Sequence, residues 1–389
     1  MTDVVVITGA SSGIGRATAL RFARTRACLV LASRRDTALQ QLAVECQRLG
    51  AEAISVATDV TNADAVEALA AEAVENFGKI DVWVNCASVS VFASFDSVPL
   101  DDFRRVIDVN VMGYVYGARS ALEVMTDQRH GVLINVASIL GDIPQPYTAA
   151  YGMSKAAVRA LGVSLRQELA LGKQKRIKVV TILPPTIDTP FFRHAANYTG
   201  RAVVAMPPVY SPEIVAKAIT RAVRSPRPEV VVSTAGKALV NQHHKHPKAV
   251  EAQMAVHTDR NQFSRKYHSV DTSGNLYVPS PTVDAEVEGG WKGTSDRPRL
   301  GWLIVGLVGG VVAAAVLGDD DEKGKKGKKG KKGTGSKGRR DRARRGRGPT
   351  TPQRSAEAAK MVTRANRNLK KAKRSGRKHA KAARAATAA

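Results

Sequence analysis

Hydrophobic and polar positions alternate in two rhythms over the first 235 residues. Short β-branched runs at 4–8, 28–32, 53–57, 81–84, 131–136, 177–183 and 229–232 read as buried strands. Between them, apolar residues recur with helical spacing at 16–24, 39–49, 64–77, 102–122 and 151–169. Gly50 and Gly78 stop two of these helices, and Ser211-Pro212-Glu213 caps a further one with proline in its first turn. Strands that are apolar on both faces, separated by helices, predict an α/β fold with a doubly wound parallel sheet of seven strands and right-handed crossovers. Its first and fourth strands flank the switch point, where ligands of such sheets bind.

From Gly236 the pattern loosens, and residues 236–270 are expected as a helical extension. Residues 271–300, rich in Ser, Pro and Gly, read as a linker. Residues 301–317 are uninterruptedly apolar and reach about 25 Å as a helix, just short of a bilayer core of ~30 Å. That segment is expected either to associate with a membrane, as an anchor or a re-entrant loop turning at Gly309-Gly310, or to form a buried oligomer helix. Residues 318–389 repeat Gly-Lys-Lys and then become rich in Ala, Lys and Arg, a composition that predicts a disordered tail.

Charge separates these regions. Of 60 Lys and Arg, 26 lie in residues 319–389, with only 6 of the 34 Asp and Glu, so the tail carries +20 and the rest of the chain +6. Anionic membrane and nucleic acid are the partners such a tail fits; with no aromatic residue after Trp302 to stack on bases, nucleic-acid contact is expected to be sequence-blind. Cys28, Cys46 and Cys86 form no CxxC and read as reduced. The N-terminus runs directly into the first strand without a secretory leader pattern, so a cytoplasmic catalytic part is expected, held to a membrane, if at all, through residues 301–317. His243, His244 and His246 have no acid or cysteine beside them in sequence, and no metal site is expected.

Candidate chemistry begins at the first strand. Thr8-Gly9-Ala10-Ser11-Ser12-Gly13-Ile14-Gly15 joins a strand to a helix, where glycines let the backbone approach a pyrophosphate and helix N–H groups meet its charge. This identifies the sheet as a Rossmann fold. Ser33-Arg34-Arg35 ends the second strand, where an acid would accept the 2′-hydroxyl of NAD; two arginines favour the 2′-phosphate of NADP instead, with NAD the less favoured cofactor. Ser138 closes a central strand and faces the ligand crevice. Tyr151 and Lys155 lie one helical turn apart, close enough for an ammonium to favour a phenolate, although an amphipathic surface pair has the same spacing.

Thr8 to Gly15, Asp59-Val60, Asn85-Cys86-Ala87, Asn110, Ser138, Tyr151 and Lys155 occur in an order that resembles the short-chain dehydrogenase/reductase family, over about the first 235 residues. The resemblance implies NADP(H)-dependent hydride transfer between nicotinamide and a carbonyl or alcohol (CH–OH/C=O) substrate. It makes Tyr151 the acid-base residue and gives Lys155 the nicotinamide ribose and the lowering of the tyrosine's pKa. Ser138 would hold the substrate oxygen, and Asn110 a water linking Lys155 to solvent. Gly9, Ser11, Ser12, Gly13, Ile14, Gly15, Ser33, Arg34, Arg35, Asp59, Val60, Asn85, Ala87, Pro184, Ile187 and Thr189 would contact the dinucleotide, with Ile187 and Thr189 at the carboxamide and phosphates. A homo-oligomer is implied as well. Two departures are Ser88, where the family commonly has glycine, and the second proline of Pro184-Pro185. Phe191, Phe192, Tyr198, Met206, Pro207 and Pro208 suit an apolar substrate. A non-catalytic dinucleotide-loaded scaffold working through its basic tail is the alternative.

Overall fold

The computed structural model describes residues 2–279 and 285–292, so the apolar segment and the basic tail lie outside the described residues. In chain order the elements are β1 (Val4–Thr8), α1 (Gly13–Ala23), β2 (Cys28–Ser33), α2 (Asp36–Arg48), β3 (Glu52–Ala57), α3 (Ala63–Phe77), β4 (Val82–Asn85), β5 (Val91–Phe92) and α4 (Leu100–Ile107). A π-turn (Asp108–Met112) then leads into α5 (Gly113–Gln128), followed by β6 (Gly131–Val136), α6 (Ala149–Leu171), β7 (Ile177–Leu183), α7 (Phe191–His194), β8 (Ala196–Asn197) and β9 (Arg201–Val203). The last are α8 (Pro212–Arg224), β10 (Glu229–Val231), α9 (Thr234–Lys245), α10 (Pro247–Asn261) and β11 (Phe263–His268).

Seven strands form one sheet in the order β10-β7-β6-β4-β1-β2-β3, parallel throughout. All five residues of β1 are buried, because helices cover both faces. Val5, Ile7, Leu29 and Leu31 pack with Phe22 of α1, Leu39 of α2 and Ile219 of α8. Val6, Val30, Trp83 and Leu133 point the other way, onto Leu69 of α3 and Ala118 of α5. Alternate residues of each strand therefore feed two separate cores. The chain reverses winding direction between β1 and β4, which are hydrogen-bonded neighbours, and this opens the crevice at their carboxyl ends.

The helical extension expected over residues 236–270 consists of α9 and α10 followed by β11: Val240 of α9 and Val250 and Met254 of α10 form a small core with Ile143 and Met206, and β11 pairs antiparallel with β9. Two expectations are corrected. The long helix at 102–122 is interrupted by the π-turn, which places Asn110 where an ordinary α-turn would not. The described parts of the expected linker are docked. Leu276 is fully buried, and Asp188, itself buried, receives the backbone N–H groups of Gly289 (2.9 Å), Trp291 (2.8 Å) and Lys292 (3.2 Å). Prolines and glycines read as loose because much of the docking is by backbone groups, joined by the isolated side chains of Leu276, Tyr277 and Trp291. No helix among the described residues is long and apolar enough to cross a membrane.

Candidate active site

The crevice is a cavity of about 360 Å³, and the dinucleotide turn forms one end of it. Gly9 adopts φ +70°, and a Cβ there would lie 2.7 Å from the Ala87 backbone. A Cβ on Gly15 would sit 2.2 Å from the Gly9 carbonyl oxygen, so β1, the turn and α1 close up only as glycine allows. Ser12 stands at the N-cap of α1 without capping it, which leaves helix N–H groups pointing to the crevice. This is a cradle for a pyrophosphate. One of its donors is engaged: the Gly13 N–H binds the Glu286 carbonyl at 2.9 Å.

At the end of β2 the two arginines part company. Arg35 donates to the Ser11 hydroxyl from Nε (3.2 Å) and Nη2 (3.1 Å), while its own N–H meets Ser33 Oγ at 3.1 Å, so it lies beside the turn. Arg34 instead donates to the carbonyls of Asn275 (2.6 Å), Leu276 (3.1 Å) and Tyr277 (2.8 Å). Burial lowers the pKa of both guanidinium groups. The Asp59 carboxylate accepts from Thr61 and from Arg105 (3.0 Å); burial alone would raise its pKa, but these bonds outweigh it and hold the carboxyl below its usual range.

Ser138, Tyr151 and Lys155 converge on the same cavity. Ser138 leaves β6 in an extended conformation and caps a 3-10 turn (Ile139–Gly141), accepting the Leu140 N–H at 3.1 Å. Tyr151 and Lys155 project from the first turns of α6. The Lys155 ammonium nitrogen is 5.5 Å from the Tyr151 ring centroid and donates to the Val136 carbonyl (3.0 Å) and the Tyr114 hydroxyl (3.3 Å). Burial pushes its pKa down to about 7. Burial also pushes the Tyr151 phenol up to about 12, against a hydrogen bond with Ser138 that lowers it. Burial, which disfavours the charged form of either group, opposes the lowering of the tyrosine's pKa expected from Lys155.

Most of the sequence-predicted residues line the cavity: Gly9, Ser11 to Gly15, Ser33 to Arg35, Asp59, Val60, Ala87, Pro184, Ile187 and Thr189. Two do not. Asn85 accepts from Trp83 Nε1 (2.8 Å) and donates to Asn135 Oδ1 (3.0 Å), a buried network under the sheet's end. Asn110 accepts the Val89 N–H (2.9 Å) and donates to the Val89 carbonyl (2.9 Å) and Ser154 Oγ (3.0 Å), so its side chain ties the loop after β4 to α6. Tyr198 also turns away, its hydroxyl on Asp102 at 2.5 Å. Sequence reasoning missed Tyr114, whose hydroxyl bonds the Val136 carbonyl (2.8 Å) and steadies Lys155. It also missed His194, a buried cavity residue whose pKa burial lowers to about 4. Phe191, Phe192, Leu239 and Met254 give the far end apolar walls, two of them supplied by α9 and α10.

A family model described as short chain dehydrogenase matches residues 3–198. An uncharacterized oxidoreductase of Bacillus subtilis, YxnA, is 38% identical over 239 residues, which span 61% of this chain and 67% of that protein. One from Staphylococcus saprophyticus is 35% identical over 226 residues, 57% of this chain and 90% of the other. Among solved structures, a short chain dehydrogenase/reductase from Burkholderia phymatum in complex with NAD superposes with a TM-score of 0.59 at 29% identity, covering 64% of this chain and 94% of that one. An alcohol dehydrogenase from the archaeon Thermococcus sibiricus complexed with 5-hydroxy-NADP gives 0.53 at 26% identity, covering 60% and 96%. The scaffold reading finds no support in these relatives. With its Rossmann sheet and the gathering of Ser138, Tyr151 and Lys155 in one crevice, this chain belongs to the short chain dehydrogenase family and is an oxidoreductase built on an NAD(P)-binding fold.

Proposed function

We propose that the protein is an NADP(H)-dependent carbonyl reductase or alcohol dehydrogenase acting on an apolar small-molecule substrate. The observation that carries this reading is the convergence of Ser138, Tyr151 and Lys155 between the dinucleotide turn and the apolar walls of one cavity. The bound dinucleotide supplies or accepts the hydride, so the chain's own task is placement and proton transfer. Ser138 holds the substrate oxygen and the Tyr151 hydroxyl gives or takes the proton on it. A phenol with a pKa of about 12 is fully protonated at neutral pH, the form that serves carbonyl reduction. Lys155, with Val136 and Tyr114 on one side, holds its remaining N–H for the nicotinamide ribose.

The NADP preference is supported by the absence of an acid at the end of β2 and by Arg35, which lies on the turn; Arg34, spent on three carbonyls, is the weaker candidate. The relatives leave room for both cofactors, since one neighbouring structure holds NAD and another an NADP derivative. Catalysis in a homo-oligomer accords with the family, and attachment through the basic tail to an anionic membrane or nucleic acid remains a reading of the sequence alone.

The test is a panel of ketones and aldehydes followed by NADPH and NADH absorbance at low salt. Tyr151→Phe is expected to lower kcat by at least about 100-fold while leaving NADPH binding, read by fluorescence titration, within about twofold. Retained turnover in that variant would overturn the assignment of Tyr151. Arg35→Ala is expected to weaken NADPH about tenfold or more relative to NADH.

A further inference from the structure

We propose that Asp142, His243 and His244 form a zinc site that pins α9 to the loop following Ser138. The three side chains are brought together across about a hundred residues of sequence, and their donor atoms lie within 4.8 Å of one another. One carboxylate oxygen, Asp142 Oδ1, faces both rings, at 3.3 Å from His243 Nδ1 and 3.1 Å from His244 Nε2. Ligand atoms on a tetrahedral zinc, bonded at ~2.0–2.1 Å, stand about 3.3 Å apart along each edge. The two distances from Asp142 Oδ1 match such edges, and the two histidine nitrogens lie within 4.8 Å of each other.

The surroundings match a metal centre as well. Asp142 Oδ2 is held by Arg159 Nη1 at 2.6 Å, which orients the carboxylate, and His244 Nε2 lies 3.1 Å from this oxygen as well as from Oδ1. His243 Nε2 lies 3.2 Å from Glu251 Oε1, so the ring nitrogen opposite the metal has a carboxylate to which it can donate. Such an outer carboxylate fixes the tautomer and raises ligand basicity. Asp142 and Glu229 both hold Arg159, and Glu251 faces His243. His244 is the exposed member of the three. The metal would stiffen the wall of the substrate cavity to which Gly236, Leu239 and Gln242 of α9 contribute.

The experiment uses the untagged full-length chain, stripped with chelator and titrated with zinc chloride. One zinc per chain is expected at micromolar or lower free metal, together with the tetrahedral visible absorption of Co²⁺ when cobalt replaces zinc and slower hydrogen exchange in α9. His244→Ala, a change on an exposed side chain that leaves folding intact, should weaken binding by about 10–100-fold. His243→Ala should do the same, whereas His246→Ala should bind as the parent does. Binding of less than one equivalent at micromolar zinc, or equal binding by the His243→Ala/His244→Ala variant, would overturn the proposal.

Discussion

Lys155 is buried to 1% exposure. Its folded pKa of about 7 lies below the ordinary 10.5, so between those pH values the unfolded chain binds more protons than the folded one. Stability therefore rises with pH across that window, by up to roughly 1 kcal/mol per unit, and gains nothing more above it. Lys155→Met should abolish that slope, which denaturant melts at pH 7 and pH 9 would reveal; an unchanged slope would move the titration elsewhere. Gly9 sets a second residue-scale limit. Gly9→Ala places a Cβ against the Ala87 backbone in a left-handed conformation and is expected to cost at least about 1–2 kcal/mol, read by the same melts. That Tyr151 and Ser138 meet in one crevice was legible from motif order, but the direction of the tyrosine's shift was not, because burial is a property of the packed site.

At the scale of elements, the π-turn is the informative irregularity. Asparagine is a poor helix former, and here the wider turn delivers Asn110 into a slot where Val89 and Ser154 take up its amide. Asn110→Ala leaves the Val89 N–H and carbonyl without that partner in a buried place and should cost about 1–3 kcal/mol in thermal or denaturant melts. The order of strands and crossover helices could be read from the sequence, since the strands are short β-branched runs and the helices between them repeat near 3.6. What escaped was everything held by backbone atoms or by distant pairs. Leu276 opens the short run Leu276-Tyr277-Val278 between polar residues and prolines, so no strand or helix period announces its burial. Asp142 lies about a hundred positions before His243, and no local spacing links them.

For the molecule as a whole, residues 271–279 and 285–292 bring the far end of the described chain back to the dinucleotide turn. Arg34 and Arg105 fasten the first stretch through the Leu276 carbonyl, while Asp188 and Thr189 fasten the second. Trp291 donates to the Thr189 carbonyl at 2.9 Å and meets the Phe192 ring edge-on at 6.0 Å. Trp291→Ala should loosen the second stretch, which limited proteolysis would register as faster cleavage. It should also tighten NADPH binding about tenfold for each 1.4 kcal/mol of docking removed, as measured by titration. The reason is the bond from the Gly13 N–H to the Glu286 carbonyl. If a pyrophosphate takes this donor, it has to displace the carbonyl, and the affinity for the dinucleotide would then be the difference between two dockings; by reciprocity, anything that drew residues 285–292 off the turn would strengthen dinucleotide binding by the factor by which the dinucleotide favoured their release.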